Sequence, residues 1–291
     1  MQQLFIIVSD NYFVRVNTAK TNIMFALLFV FAITANAQGN AHANGARSTG
    51  MGNAGIAIAD AWSTVNNQAA LTLLKNTEIA AFYKNNFGIS ELSLSALSVA
   101  APTKAGVFGG SIAHFGFSEY SENKISITYA KRLWKRVSLS AQLCYNSFNF
   151  TNAYQNANAI TGEIGLLAEL SENFYAGAHV FNPTKSSLAL EAKEQLPVRY
   201  KIGAAYKPFS LLLLCADLIY DSNNGISFCG GTEYYIVSQL CLRAGVSTNP
   251  ELFTLGAGYI YRQIGFDIAY SYHNVLGNIS CISVSYKLNR K

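Results

Sequence analysis

Past residue 76 the chain alternates apolar and polar positions in stretches of roughly ten residues, each closed by Gly, Pro, Asn or Ser, and a period of two is that of a half-buried β-strand. The alternation is clearest over 227–234, 240–246, 253–261 and 264–272. Continued along the chain it predicts strands over 77–86, 89–100, 105–118, 122–131, 136–149, 158–169, 173–181, 196–207, 209–220, 225–236, 239–247, 251–261, 263–273 and 276–288. One phase carries Ile226, Phe228, Tyr234, Leu240, Leu242, Val246, Ile264, Phe266, Ile268 and Tyr270; the other carries Glu163, Arg199, Lys201, Asp217, Glu233, Arg243 and Asp267, with Glu169 and Lys287. In a bilayer every backbone N–H and C=O must be paired within the protein, so strands span only as a closed barrel. A charge on the lipid face costs about 2–4 kcal/mol near the midplane. The expected fold is therefore an all-β, antiparallel, up-and-down transmembrane barrel of about fourteen strands, with the charged phase lining its lumen.

Connection lengths agree with that count. Outer-membrane barrels have short periplasmic turns and longer extracellular loops, and an even strand number puts both ends of the barrel on the periplasmic side. The even connections are then Ala101-Pro102-Thr103-Lys104, Arg132-Leu133-Trp134-Lys135, Leu170-Ser171-Glu172, Pro208, Val237-Ser238 and Arg262, while the two longest, 151–157 and 182–195, fall in the outward set. Tyr129, Tyr206, Tyr261 and Tyr286 sit near periplasmic strand ends and Tyr145, Tyr220 and Tyr272 toward the outer ends, as two interfacial girdles. Over 107–117 and 146–150 the alternation slips, which predicts bulges or ambiguous facing and, at 107–117, a kink suited to an opening in the wall.

Composition removes the alternatives. Charged residues are 13% and hydrophobic residues 51% of the 291, against about 25% charged in a soluble domain. No apolar run after position 40 approaches the roughly twenty residues of a membrane helix. A net charge of +5 is too small to argue for nucleic acid or a strongly ion-selective pore.

Two segments precede the strands. Residues 1–37 read as a signal peptide: Arg15 and Lys20, a short apolar core over 23–34, then Ala35-Asn36-Ala37 as a small-x-small cleavage site before Gln38. That core is too short for an anchor helix, and the leader's length suggests translation starting downstream of Met1. Residues 38–76, rich in Gly, Ala, Asn and Ser, read as a plug or lid ahead of a barrel over 77–291, with Gly50, Gly52, Gly55 and Asn67 as its candidate turn residues.

Candidate chemistry is sparse. Cys144, Cys215, Cys229, Cys241 and Cys281 all occupy the polar phase and point to the lumen; a cross-strand disulfide or metal site is conceivable, but no Cys-x-x-Cys or His pairing supports it. The phrase from Gly50 to Gly55 lacks the preceding strand and following acidic residue of a dinucleotide fingerprint. Asp267, Ser271 and His273 share a phase on one strand, about 7 Å or more apart at strand rise, too far for a hydrolase triad; His114 and His179 stand alone. No cofactor is implied. The lumenal charges either select a solute or pair across strands and fill the interior, and their interleaved signs favour pairing. In the loop over 182–195, Leu188 and Leu190 offer a partner contact.

The segment from Gly45 to Leu71, with Gly50-Met51-Gly52-Asn53-Ala54-Gly55-Ile56-Ala57 and then Asn66-Asn67-Gln68-Ala69-Ala70-Leu71, resembles the N-terminal region of the FadL-type long-chain fatty acid transporter superfamily. In those barrels an Asn-Pro-Ala-Gly stretch belongs to the plug; here Gln68 replaces the Pro and Ala70 the Gly. Leu196-Pro197-Val198-Arg199-Tyr200-Lys201-Ile202-Gly203, Thr254-Leu255-Gly256-Ala257-Gly258-Tyr259 and Leu276-Gly277-Asn278-Ile279-Ser280 resemble its PorV/PorQ branch, whose members include outer-membrane parts of type IX secretion machinery. The resemblance implies a bacterial outer-membrane barrel without catalytic chemistry, in contact with outer-membrane lipid. Two functions follow from it: passage of a hydrophobic or small amphipathic ligand gated by the plug, or an accessory anchor for secretion-machinery proteins.

Overall fold

The computed structural model describes residues 41–151, 156–188 and 195–288. The leader over 1–37, Gln38 to Asn40 and Leu190 lie outside them.

Fourteen antiparallel strands close into one barrel. They are β1 (Thr77–Asn86), β2 (Ile89–Pro102), β3 (Val107–Gly116), β4 (Tyr120–Trp134), β5 (Val137–Phe150), β6 (Ala157–Ser171) and β7 (Phe174–Phe181). β8 (Arg199–Phe209), β9 (Leu212–Asp221), β10 (Gly225–Val237), β11 (Leu240–Thr248), β12 (Glu251–Tyr261), β13 (Ile264–His273) and β14 (Gly277–Leu288) complete the wall. Each strand pairs with its chain neighbours, and β1 closes on β14 from Thr77 opposite Leu288 to Asn86 opposite Ile279. No edge remains, so the wall's backbone groups are paired among themselves, as hydrocarbon requires.

The two faces meet different media. Ile226, Phe228, Tyr234, Leu242, Val246, Phe266, Ile268 and Tyr270 are exposed on the outside, as are all seven girdle tyrosines. Glu163, Arg199, Asp217, Glu233 and Arg243 are buried on the inside, and so are the five cysteines, each a free thiol.

Some expectations need correction. β3 is not kinked: it pairs in unbroken register with β2 from Pro102 opposite Val107 and with β4 as far as Gly116 opposite Ser121, so the described wall has no opening there. Its phase was obscured by Gly109 and Gly110, which carry no side chain to read, and by Phe115, which faces inward while His114 faces out. β5 is equally regular through Phe150, with Phe148 turned in. The real irregularities lie near the turns, at Asn85/Asn86, Arg132/Trp134, Glu169/Ser171, Tyr206/Phe209 and Tyr235/Val237. Pro208 is not a turn but sits in the irregular end of β8, where a residue without an N–H is tolerated; Ser210 and Leu211 make the turn.

Residues 41–76 lie within the barrel as short pieces: α1 (Ala46–Thr49), α2 (Ser63–Asn66) and a 3-10 turn (Gln68–Leu73). Two apolar clusters seat them. Trp62 packs edge-on to Phe82 near Phe115 and Leu94, and Met51, Ile58 and Ala69 pack with Leu167, Leu213 and Cys215.

Replacing outward-facing Ile268, midway along β13, with Arg places a cation in hydrocarbon. A loss of about 2–4 kcal/mol is expected, read as a lower urea midpoint for unfolding from lipid vesicles.

Candidate functional site

The plug is held in two tiers, each built on a wall residue with no water-facing alternative. In the periplasmic half, Arg47 of α1 donates from Nη2 to Glu233 Oε1 at 2.6 Å and from Nε to Oε2 at 2.9 Å. Arg243 Nε reaches the same Oε2 at 2.7 Å, and Asp267 Oδ1 lies 2.7 Å from Arg243 Nη1. Asp60 adds a second carboxylate 3.5 Å from Arg47. Two guanidiniums thus alternate with three carboxylates across plug and wall. Glu233 is 1% exposed, so its charge depends on these partners.

The second tier is nearer the outer mouth. Gln68 Nε2 donates at 2.8 Å to both Gln142 Oε1 and Glu163 Oε2. Glu163 also accepts from Lys124 Nζ at 2.7 Å and lies 2.9 Å from His179 Nε2. Between the tiers the Gly55 and Ile56 amides donate to Asp217 Oδ2 at 2.7 and 3.1 Å. Asn67 spans plug and wall, its Nδ2 donating to Ile56 O and Leu166 O while its Oδ1 caps the 3-10 turn at Ala69 N.

Close approach of the backbones explains the glycines of this region. Gly52 has φ +70° and its N–H donates to Thr254 Oγ1 at 2.9 Å. A Cβ on wall residue Gly245 would stand 2.3 Å from Gly52 N, and one on Gly231 2.5 Å from Met51 O. These wall glycines form the surface on which residues 51–52 rest.

Free space lies on both sides of the plug. Toward the periplasm, a cavity of about 540 Å³ is bounded by Ile58, Leu73, Leu74 and Leu213, with Lys75 and Lys207 near it. A second, of about 110 Å³, lies beside Asp60, Trp62, Arg243 and Asp267, and Arg47 borders both. At the outer mouth, among the described residues, a space of about 20 Å³ lies between His42, Lys124, Phe148, Phe181 and Arg199. Burial, with Lys124 and Arg199 beside it, holds the His42 imidazole well below its ordinary value, and the neutral ring packs edge-on to Phe181. Leu188 and Leu196 cover Phe148, so Leu188 belongs to the mouth's own apolar cluster and is not free for the partner contact expected of it.

Of the lumenal candidates, the structure joins Glu233, Arg243 and Asp267 in one network and sets Glu163 in another. Arg199 pairs with Asp221 at the outer rim, and Asp217 holds plug amides instead of a cation. Lys201 has no ion-pair partner among the described residues. Of the plug candidates, Gly52, Gly55 and Asn67 make the contacts above, and Gly50 O accepts from Thr254 Oγ1 at 3.1 Å. His179 is not isolated, because it completes the Glu163 cluster. Arg47, Lys124 and Gln142 were missed; Arg47 alone carried a signal, as the one charged residue between positions 39 and 59. Among the described residues no group of three His, Cys, Asp or Glu is placed to hold a metal ion.

The closed fourteen-strand fold has counterparts among solved structures. The toluene transporter TbuX of Ralstonia pickettii is similar at a TM-score of 0.67 and 13% identity, over 86% of this chain and 100% of that one. The fold is that of the FadL-type barrels. The Pseudomonas putida toluene transporter TodX matches at 0.64 and 13%, over 86% and 100%. A Pseudomonas aeruginosa FadL homologue matches at 0.63 and 12%, over 84% and 98%. No protein-family model matches the chain, and no curated protein does.

Two substitutions test the plug's seat. Glu233→Ala strands Arg47 and Arg243 with only Asp60 and Asp267; an expected loss of about 3 kcal/mol, the low end for breaking a buried pair, is read by chemical unfolding. Gly245→Val leaves β11 able to pair but occupies the space of Gly52, so the plug of the folded barrel becomes accessible to added protease.

Proposed function

We propose that this chain is an outer-membrane barrel that takes up or passes hydrophobic or small amphipathic compounds, with the segment within it as gate and residues 1–37 as the export signal. The observation that carries this reading is the periplasmic cavity of about 540 Å³, one side of which is the plug itself: Ala57, Ile58 and Ala59 border it together with wall residue Leu213. Its size falls within the roughly 300–1,000 Å³ of small-molecule sites. The transporters of similar fold, described as carrying toluene, support the class of solute.

A second reading, an accessory barrel of the PorV/PorQ kind that binds secretion-machinery proteins, draws support from the buried anchors, the unbroken wall and the covered mouth. The two readings separate experimentally. Purified protein in planar bilayers is expected to show little steady conductance, because the plug fills the lumen; large stable currents would count against both. In liposomes the transport reading expects entry of a fluorescent alkyl-aromatic probe that slows severalfold when plug and wall are crosslinked. An unchanged rate, with co-recovery of secretion components after crosslinking in outer membranes, favours the accessory.

A further inference from the structure

The β4–β5 hairpin carries the densest exposed positive charge of the chain, Lys131-Arg132-Leu133-Trp134-Lys135-Arg136, and β4 runs three residues beyond its expected end at 131. Up to that point β4 presents a lipid-facing column of Ile125, Ile127 and Tyr129. Lys131 takes the next outward step. A register shift between Arg132 and Trp134 then breaks the alternation. Arg132 remains paired with Glu169, while Leu133 and Trp134, 48% and 63% exposed, both turn outward. Leu170 at the end of neighbouring β6 is exposed too, and Arg136 Nη1 donates to its carbonyl at 3.2 Å.

Among the described residues, three of the four charges here lack the carboxylate partner that most lumenal cations have, lumenal Lys201 being unpaired as well. Lys124, Arg47, Arg199 and Arg243 each have a carboxylate partner, whereas Lys131, Lys135 and Arg136 have none among the described residues. Their depth is informative. From girdle residue Tyr129 to Trp134 the strand advances roughly 17 Å, or about 12 Å along the membrane normal at a tilt near 45°. The headgroup layer is about 6 Å thick on each side, so Lys131, about 5 Å beyond Tyr129 along the normal, lies within it, and the hairpin tip stands on its water side, from which the long Lys135 and Arg136 side chains reach back toward the phosphates. Unpaired cations interleaved with Leu and Trp at this depth are the pattern of an interfacial anchor.

We propose that the β4–β5 hairpin is a binding site for anionic glycerophospholipid headgroups in the periplasmic leaflet, with Lys131, Lys135 and Arg136 meeting the phosphate and the exposed Leu133 and Trp134 lying against the headgroups. A soluble acidic protein fits less well, because Lys131 stands on the lipid-facing column, at a level that lipid occupies.

The chain has two tryptophans, and Trp62 is 4% exposed inside the barrel, so Trp134 reports on this surface. The full barrel is reconstituted with brominated phosphatidylglycerol or brominated phosphatidylcholine, each at a small mole fraction in unbrominated phosphatidylcholine. Quenching of Trp134 is expected to be half-maximal at an order of magnitude less phosphatidylglycerol. In the variant carrying Lys131→Gln, Lys135→Gln and Arg136→Gln the two curves are expected to coincide, with β-sheet circular dichroism confirming that the barrel is intact. Equal quenching in the unaltered protein, or a preference that survives the triple substitution, overturns the proposal. So does tight binding of polyglutamate to the hairpin in bilayers of phosphatidylcholine alone with no phosphatidylglycerol preference, which assigns the surface to an acidic protein. Should the triple variant fail to fold, Lys131→Gln alone is measured and must still narrow the gap between the curves.

Discussion

A closed sheet in hydrocarbon leaves its charged side chains one destination, the lumen, and the lumen of a fourteen-strand barrel is too narrow to hydrate them all once anything else enters it. The rest of the structure follows from that confinement. Glu233, Glu163 and Asp217 are inside because a charge on the lipid face is destabilising, by about 2–4 kcal/mol for a cation at the midplane and less for a carboxylate. Being nine-tenths or more buried there, each needs a partner. Wall cations supply part of the answer through Arg243 and Lys124. The plug supplies the remainder with Arg47, the Gly55 and Ile56 amides and the Gln68 amide. The plug therefore belongs to the electrostatics of the wall as much as it obstructs the passage.

Strands were legible wherever the two media differ in polarity, which is why β1 and β12 end at the residues the alternation predicts. Legibility failed where side chains on the two faces are alike or missing. In β3 the successive glycines blank two positions, and Phe115 faces inward because the plug's Trp62 gives it an apolar neighbour. Such a neighbour belongs to a segment more than fifty positions away and leaves no mark on local periodicity. Leu188 is likewise unreadable locally, since its partner Phe148 lies forty positions away on β5. Inward placement of the charges was readable from phase; which pairs form was not, since Arg47 reaches Glu233 across 186 positions.

On the transport reading, the anchors also constrain how a solute would pass. Expelling the whole plug would take Arg47 from Glu233, the Gly55 and Ile56 amides from Asp217 and the Gln68 amide from Glu163, at about 3–5 kcal/mol for the buried ion pair and about 1.5–3 kcal/mol for each hydrogen bond to a carboxylate. That sum rivals the roughly 5–15 kcal/mol that holds a typical fold together, so wholesale ejection is not a reversible gating step. Residues 57–62 differ from the rest of the plug. Ala57, Ile58 and Ala59 border the larger periplasmic cavity, and Ala59, Asp60, Ala61 and Trp62 the smaller. Among the described residues, the one side-chain hydrogen bond from the wall to this stretch is Ser98 Oγ to Ala61 O. The buried Trp62 Nε1 has no partner to lose. On the transport reading, displacement of this stretch would join the two spaces while Asp217, Glu163 and the Arg47–Glu233 pair stay in place, so the gate that costs least is a short span between fixed anchors.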